Sequence, residues 1–392
     1  MSIDFFAEAN AMRDELVARR RDFHMHPELA FEEVRTANIV AETLNSLGLE
    51  VQTGIGKTGV VGILEGDHDG PTVLVRADMD ALPIHEQNDT EYKSMVDGKM
   101  HACGHDGHTT IALGVAKLLS NHRDKLAGRL KFVFQPAEEI GAGAKAMLAD
   151  GVLSDPKPDV TLGLHLWNTA PVGALNVKAG PVMAGISKFA ITIHGQGGHG
   201  AMPHETIDPI VCAAQITLAL QTIVSRNANP LDTAVVSIGS IMAGNADNVI
   251  PQTTTICGTY RIFTEEMRNL VAERMTAIAE HTAIAMGCTA EVDISNNASP
   301  VDNHPDVVNR VTDAWTKLGR ANDFYYDQTT ASEDVGVFMQ DIPGMYFFLG
   351  SGNDEKELNY GHHHPRFDFD EDVLPIGVAM LSSAVAEYLL EA

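Results

Sequence analysis

Apolar and polar residues alternate along the first half of the chain in patterns that predict both helices and buried strands. Helical spacing of apolar residues predicts helices at residues 3–21, 31–47, 109–120 and 142–150. Near-continuous apolar runs are typical of strands covered on both faces, and they predict strands at residues 60–64, 72–76, 130–134 and 160–164. This alternation of strands and helices predicts an α/β fold with a mostly parallel sheet flanked by helices.

The order of the elements changes near Ala184. Predicted strands follow at residues 189–194, 234–241, 253–261 and 289–294, with predicted helices at 209–226 and 265–286. This βαββαβ order is typical of a ferredoxin-like domain. A helix, a strand and a helix, at residues 305–318, 344–349 and 372–390, then return to the first pattern. We therefore predict one domain formed by residues 1–185 and 298–392, and an inserted α+β domain at residues 186–297.

The composition narrows the class of function. The chain of 392 residues carries 53 acidic and 27 basic residues, and its formal net charge of −26 argues against nucleic acid or an anionic membrane surface as a partner. Its four cysteines, at positions 103, 212, 257 and 288, show no disulfide-like spacing. The first residues are acidic where a signal peptide would be basic, and no apolar run approaches the length of a membrane span. These features predict a cytoplasmic protein.

The densest concentration of candidate chemistry lies in residues 101–108, His-Ala-Cys-Gly-His-Asp-Gly-His. Thiolate and imidazole groups suit zinc and similar transition metals. Cys103 and His105 are therefore the best candidate ligands of a metal site. The alternative is a structural knot of hydrogen-bonded histidines beside a buried thiol.

Donor-type residues also follow three of the predicted strands. They are Asp78 and Asp80, Glu138 and Glu139, and His165. The carboxyl ends of strands in an open α/β sheet are where sites are built. This recurrence therefore favours one shared site, although each residue alone could be a solvent-facing turn residue, a helix cap or a satisfied polar group.

The adjacent residues Glu138 and Glu139 indicate that two neighbouring carboxylates have different roles. One can bind a metal while its neighbour stays uncoordinated and acts as a general base on water. Asp80 fits a group that orients a ligand imidazole. The histidine run at residues 362–364 can direct at most one or two imidazoles at a single site.

The predicted inserted domain contains a glycine-rich loop at residues 195–204 that carries His199. This loop lacks the spacing and the following helix of a nucleotide-binding motif. His199 can donate a hydrogen bond to a developing oxyanion, or it is a loop histidine without function. Asn248 and Arg261 are isolated polar residues near strand ends, and spacing alone leaves them as surface or capping groups.

Taken in order, these motifs resemble the M20 family of metallopeptidases and amidohydrolases, specifically its subfamily of N-acyl-amino-acid and hippurate hydrolases. The matching stretches are residues 23–28 (FHMHPE), 76–83 (RADMDALP), 101–108 (HACGHDGH), 134–139 (FQPAEE), 197–200 (GGHG) and 363–368 (HHPRFD). They span nearly the whole chain in the order of that family. The resemblance implies a zinc-peptidase-like catalytic domain and a ferredoxin-like lid domain that often dimerises.

The resemblance also implies a site for two divalent metal ions per subunit, which can be zinc, manganese, cobalt or nickel. The implied ligands are Cys103, His105, Glu139, His165 and His363. His363 is preferred within its run because the family places this ligand two residues before a proline, here Pro365. A cysteine ligand separates this subfamily from the wider family, where a bridging aspartate dominates, so Asp106 is not expected to bridge the metals.

Further roles follow from the same resemblance. Glu138 is implied as the general base, and Asp80 as the group that orients the metal site. His199 is implied to help hold the scissile carbonyl, commonly by reaching across a dimer. Asn248 and Arg261 match, less specifically, lid positions that can hold the carboxylate of the substrate.

The expected function is cleavage of the amide bond of N-acylated amino acids, of hippurate or N-acetyl type, by attack of a metal-bound water. The products are a carboxylic acid and a free amino acid. Alternatives within the family are an N-acetyl-diaminopimelate deacetylase, an auxin-conjugate hydrolase and a small-peptide metallopeptidase. An alternative outside it is a thiol amidase with Cys103 as nucleophile. The expected partners are a small-molecule substrate and a second copy of the chain, in a homodimer or a dimer-based oligomer through the lid.

Overall fold

The computed structural model describes residues 3–390. These residues divide into two compact units. The first unit is formed by the chain up to Gly180, by Asp302–Gln328 and by the chain from Asp334 onward, and the second by Pro181–Val301 and Thr329–Glu333. The domain boundaries expected at 1–185, 186–297 and 298–392 stay a prediction, because compactness alone does not show which segments fold independently.

The α-helices are α1 (Phe5–Ala11), α2 (Arg13–Met25), α3 (Val34–Ser46), α4 (His105–Ser120), α5 (Gly143–Ala149), α6 (Pro209–Thr222), α7 (Glu265–Ala285), α8 (Pro305–Lys317) and α9 (Val373–Leu389). The strands are β1 (Glu50–Ile55), β2 (Gly59–Glu65), β3 (His68–Asp78), β4 (Ala127–Gln135), β5 (Val160–Pro171), β6 (Leu175–Asn176), β7 (Gly180–Met183), β8 (Gly185–His194), β9 (Gly198–His199), β10 (Ala234–Ala243), β11 (Val249–Ile250), β12 (Thr253–Ile262), β13 (Thr289–Ala298), β14 (Val301–Asn303), β15 (Phe324–Tyr325) and β16 (Gly344–Gly352).

The first unit is built on a sheet with the strand order β1-β2-β4-β3-β5-β16-β6-β15. Its central strands, β4, β3, β5 and β16, are parallel, and antiparallel pairs flank them. Every residue of β16 is buried, as expected for a strand that is covered on both faces. Helices α4 and α9 contribute buried apolar side chains to the same core. The predicted α/β class is therefore confirmed.

Three local predictions about the first unit are wrong. The helix expected at residues 3–21 is two helices, because the chain leaves the helical path at Met12. Helix α4 begins at His105 rather than Thr109, since Gly104 takes a left-handed φ of 91° directly before it. Strand β5 continues to Pro171, so His165 lies inside this strand, opposite Phe348 of β16, and not beyond its end.

The second unit contains an antiparallel sheet with the order β10-β12-β8-β13. Alternate residues of β8 are buried, and its inward side chains Phe189, Ile191 and Ile193 belong to one apolar core with residues of α6 and α7. The predicted ferredoxin-like element order is thus present in this unit.

Residues 209–227, which comprise α6 and a π-helical turn, are long and apolar enough to cross a membrane by length and composition alone. One side of this helix carries Cys212, Ile216 and Leu220, which are buried in the core of the second unit. A helix that packs against a sheet passes the same test, so the finding does not by itself indicate a membrane span.

Candidate metal centre

The first unit brings all five predicted ligands together. Strand β4 delivers Glu139 just beyond its end, β5 carries His165, and Cys103 and His105 lie at the start of α4. Donor atoms within 4.8 Å of one another occur in the groups Cys103–His105–His165, Cys103–Glu139–His363 and His105–Glu138–Glu139. The clustering follows from topology, because parallel strands present their carboxyl ends at one edge of the sheet.

Both buried imidazoles are held with one ring nitrogen directed at the shared site. The Nδ1–H of His105 donates to the backbone oxygen of Asp80 at 2.8 Å, and that of His165 donates to the oxygen of Leu166 at 2.6 Å. Since a carbonyl can only accept, the neutral form of each ring has its lone pair on Nε2. The Nε2 of His165 lies 3.6 Å from the Sγ of Cys103. This is the tautomer that a metal-binding histidine needs.

Two donor atoms of the site are buried without a hydrogen-bond partner, namely Nε2 of His105 and Oε1 of Glu139. They lie 3.9 Å apart. Unpaired buried polar atoms are costly, and a bound cation would satisfy both of them. The mixed set of thiolate, imidazole and carboxylate donors also suits a transition metal. The residues present therefore fit the implied metal ions.

The two buried imidazoles have different electrostatic environments, and only that of His105 favours positive charge. Burial alone would lower the pKa of His105, but the charges of Asp78, Asp80 and Glu139 outweigh burial and raise it to about 10. Burial and the neighbouring imidazole of His108 hold the pKa of His165 well below its usual value. The acidic groups around His105 would stabilise a metal cation in the same way as they stabilise a proton.

Of the three consecutive histidines, His363 is the one that lies against the metal-type donors. Its Nε2 is 3.3 Å from Oε2 of Glu139, and its backbone takes a left-handed φ of 65°. The ring of His362 instead donates from Nε2 to the oxygen of Leu166 at 2.9 Å. The ring of His364 stacks on Tyr360 with ring centroids 4.6 Å apart. The structure thus places His363 near the donor atoms of Cys103 and Glu139.

Asp80 connects the start of α4 to the turn after β4. Its two carboxylate oxygens accept from the backbone N–H groups of Glu138 and Glu139, each at 3.0 Å, while its carbonyl accepts from His105. Through these three bonds Asp80 orients one imidazole and fixes the backbone from which both glutamates extend. Asp106 faces elsewhere, since its Oδ2 accepts from Nε of Arg20 at 2.9 Å.

The sequence placed Asp78 among the donor-type residues at strand ends, but it did not predict the pair that Asp78 forms with His108, directly behind the donors. The Nδ1 of His108 is 2.6 Å from Oδ1 of Asp78, and its Nε2 accepts from the backbone N–H of Leu166 at 2.9 Å. Both ring nitrogens of His108 are thus occupied by protein groups. His108 belonged to the motif at residues 101–108, but the spacing of that motif does not distinguish a ligand from a supporting residue.

The remaining predicted residues lie in the second unit. His199 on β9 pairs with Val249 of β11, and the backbone of Asn248 accepts from the N–H of Gly200 at 2.8 Å, so His199 and Asn248 are neighbours. Arg261 lies in the four-stranded sheet, near the end of β12, where it pairs with Ile186 at the start of β8. The structure thus brings His199 and Asn248 together and separates Arg261 from them.

Residues 74–387 match the model of "Peptidase family M20/M25/M40". An N-acetylcysteine deacetylase from Bacillus subtilis (strain 168) is 41% identical over 93% of this chain and 94% of that protein. The IAA-amino acid hydrolase ILR1-like 5 from Arabidopsis thaliana is 40% identical over 96% of this chain and 87% of its own length.

A solved structure supports the same relationship. The YXEP protein of Bacillus subtilis, described as a dinuclear metal binding peptidase from the M20 family, superimposes with a TM-score of 0.85. It is 37% identical in sequence, and the match covers 96% of this chain and 97% of that chain.

Proposed function

Because the chain belongs to peptidase family M20/M25/M40, we propose that it is a metal-dependent hydrolase that cleaves N-acylated amino acids to a carboxylic acid and a free amino acid. One observation carries the proposal. The donor atoms Nε2 of His105 and Oε1 of Glu139 are buried without partners, and a second carboxylate, Glu138, follows the same strand end. This arrangement supports a metal site with its own general base.

The metal ligands in this proposal are Cys103, His105, Glu139, His165 and His363, and they would hold two divalent ions. Zinc, manganese, cobalt and nickel all tolerate this set of donors. When bound, such ions lower the pKa of water toward neutrality and polarise the carbonyl of the amide.

Glu138 acts as the general base in the proposed reaction. Its carboxylate takes a proton from the attacking water and passes that proton to the leaving amine. The hydrogen bond from its backbone N–H to Asp80 holds the residue in place while the proton moves. The tetrahedral oxyanion that forms needs a donor, and His199 fits that role because its Nδ1 accepts from the N–H of Ala201 at 3.0 Å, which leaves the proton on Nε2.

We assign the carboxylate of the substrate to Arg261, and we assign Asn248, which lies beside His199 and apart from Arg261, to a separate polar contact with the substrate. Arg261 is half-buried, and its Nη1 is a buried nitrogen without a hydrogen-bond partner among the described residues. Burial lowers the pKa of this guanidinium, so an anionic ligand would stabilise its charge.

The enzyme is further proposed to be cytoplasmic and to form a dimer through the inserted unit. None of the four cysteines forms a disulfide, which supports a reducing compartment. Apolar side chains of α6 and β10 are exposed on the second unit, which supports a contact with a second copy of the chain.

Substitution of Glu138 by glutamine tests the mechanism. Glu138→Gln keeps the size of the side chain but cannot accept the proton, so kcat on an N-acyl amino acid should fall by about 1,000-fold or more, with the metal content unchanged. The control is Glu42→Gln, on the exposed surface of α3, which should hydrolyse like the wild type. Near-full activity of the Glu138 variant would contradict the assignment.

A further inference from the structure

Glu33 is a buried carboxylate that the proposed mechanism does not use. It lies directly before α3, it is 0% exposed, and it is far in sequence from every proposed ligand. We propose that Glu33 is a positioning residue for the general base, because it locks the backbone turn from which Glu138 extends. This inference rests on the proposed function, since it assumes that Glu138 acts in hydrolysis.

One carboxylate oxygen of Glu33 accepts hydrogen bonds from two backbone N–H groups that are far from each other in sequence. Its Oε1 accepts from Phe31 and from Ala137, each at 2.9 Å. Its Oε2 accepts from the hydroxyl of Thr58 at 2.5 Å. The carboxylate therefore joins the start of α3, the turn between β1 and β2, and the end of β4.

Both residues that donate to Oε1 have a backbone conformation that L-residues avoid. The φ angle is 63° at Phe31 and 52° at Ala137, and neither residue is a glycine. A residue with a Cβ adopts this left-handed backbone conformation only when neighbouring contacts hold it there. The hydrogen bond to Glu33 is such a contact, and at Ala137 it acts one residue before the general base.

Glu33 and Asp80 together hold three consecutive amides. The N–H of Ala137 donates to Glu33, and those of Glu138 and Glu139 donate to Asp80. Asp80 lies just beyond the end of β3, and Glu33 lies directly before α3. The turn at residues 137–139 is therefore hydrogen-bonded to two different parts of the first unit. Without Glu33, Ala137 would relax toward negative φ and rotate the following peptide. That rotation would move the carboxylate of Glu138 even with Asp80 intact.

The energetics of burial support a specific role for this side chain. A carboxylate inside a protein is costly unless hydrogen bonds compensate for the lost water. Burial raises the pKa of Glu33, and the hydrogen bonds from Thr58 and Ala137 offset only part of this rise. The hydrogen bond from Ala137 that helps to compensate for the burial of Glu33 is thus also the bond that holds the turn before Glu138.

The test combines truncation of Glu33 with relief of the strain at Ala137. Glu33→Ala should lower kcat by about 100-fold, the usual cost of a small misplacement, while KM changes by less than about threefold. Glu33→Gln retains the oxygen that accepts both amides and should keep most of kcat. In the double variant Glu33→Ala/Ala137→Gly, glycine adopts the left-handed φ without help, so kcat should recover by about tenfold over Glu33→Ala. All rates are taken per metal-loaded site.

Two controls complete the comparison. Ala137→Gly alone and Thr58→Val, which removes only the bond to Oε2, should each stay within about threefold of the wild type. If Glu33→Ala does not fold, Glu33→Asp withdraws Oε1 by one methylene, and Glu33→Asp/Ala137→Gly serves as the rescue.

The outcomes separate the two claims. A wild-type kcat in Glu33→Ala, or a double variant as slow as Glu33→Ala, overturns the role of Glu33. If the wild-type protein hydrolyses no N-acyl amino acid, the proposed function fails instead. The positioning claim is then decided by hydrogen exchange, where the amides of residues 137–139 should exchange faster in Glu33→Ala, and unchanged exchange would refute it.

Discussion

At the scale of single residues, the two buried histidines of the candidate metal centre are oriented by a hydrogen bond from the ring nitrogen that faces away from the site. His105 and His165 each donate one ring N–H to a backbone carbonyl and keep the other nitrogen available. His24 differs, because both of its ring nitrogens face carboxylates. Its Nδ1 is 2.8 Å from Oδ2 of Asp106, and its Nε2 is 3.2 Å from Oε1 of Glu86.

His24 makes the stability of the protein depend on pH. Burial and Arg20 lower its pKa, but the hydrogen bonds with Asp106 and Glu86 outweigh them and raise it to about 9. A raised pKa in the folded state stabilises the fold fully below the unfolded value of about 6.5, and this contribution is lost as the pH rises through 9. We expect His24 to account for a decrease of about 3 kcal/mol in the free energy of unfolding between these pH values.

Urea unfolding of the metal-loaded protein across this pH range measures the effect. The decrease should be absent in His24→Gln and present in His204→Gln, a control in which the replaced side chain is 76% exposed. Equal pH dependence in the wild type and in His24→Gln would contradict the expectation.

Residue patterns in the sequence indicate candidate donors more readily than the residues that support them. Cys103, His105 and Glu139 stand in dense or strand-terminal motifs, and the structure places them together. Glu33 and Asp78 act through hydrogen bonds between segments that are far apart in sequence. No spacing along the chain reveals such bonds, because they depend on how the strands and helices pack.

At the scale of elements, hydrophobic patterns predicted the order of helices and strands but not all their ends. Local backbone geometry decided those ends. The left-handed φ of Gly104 starts α4 four residues early, and pairing with β16 extends β5 beyond His165. Very short strands such as β6 and β15 have no periodicity to detect.

The prediction of a dimer rests on exposed apolar residues of helix α6 and strand β10. Strand β10 is the edge of its sheet, and Ile241 and Met242 on it are exposed. On α6, Leu218 is 67% exposed. An open strand edge beside exposed apolar residues favours pairing with another chain. We therefore expect the protein to sediment as a dimer, and Leu218→Glu to shift it toward the monomer.

Sedimentation velocity distinguishes these states. The control is Met95→Glu in the first unit, where the replaced side chain is 71% exposed and the dimer should persist. A wild-type protein that sediments as a monomer at micromolar concentration would contradict the proposed contact.

At the scale of the whole molecule, the site combines residues from segments on both sides of the second unit in the sequence. The proposed ligands run from Cys103 to His363, and the second unit is inserted between His165 and His363. The first unit must therefore bring together segments that the insertion separates in sequence. Composition gave no information about this closure, whereas the family resemblance predicted it, because its motifs occur on both sides of the insertion.

The most direct test of the central claim is reconstitution of the metal-free protein. Chelated protein should lose hydrolysis of N-acetyl, N-benzoyl and longer N-acyl amino acids. Added zinc, manganese or cobalt should restore it, with saturation at about two ions per chain. Full activity without metal, as a thiol nucleophile at Cys103 would give, or no hydrolysis of any N-acyl amino acid by the loaded protein, would contradict the claim.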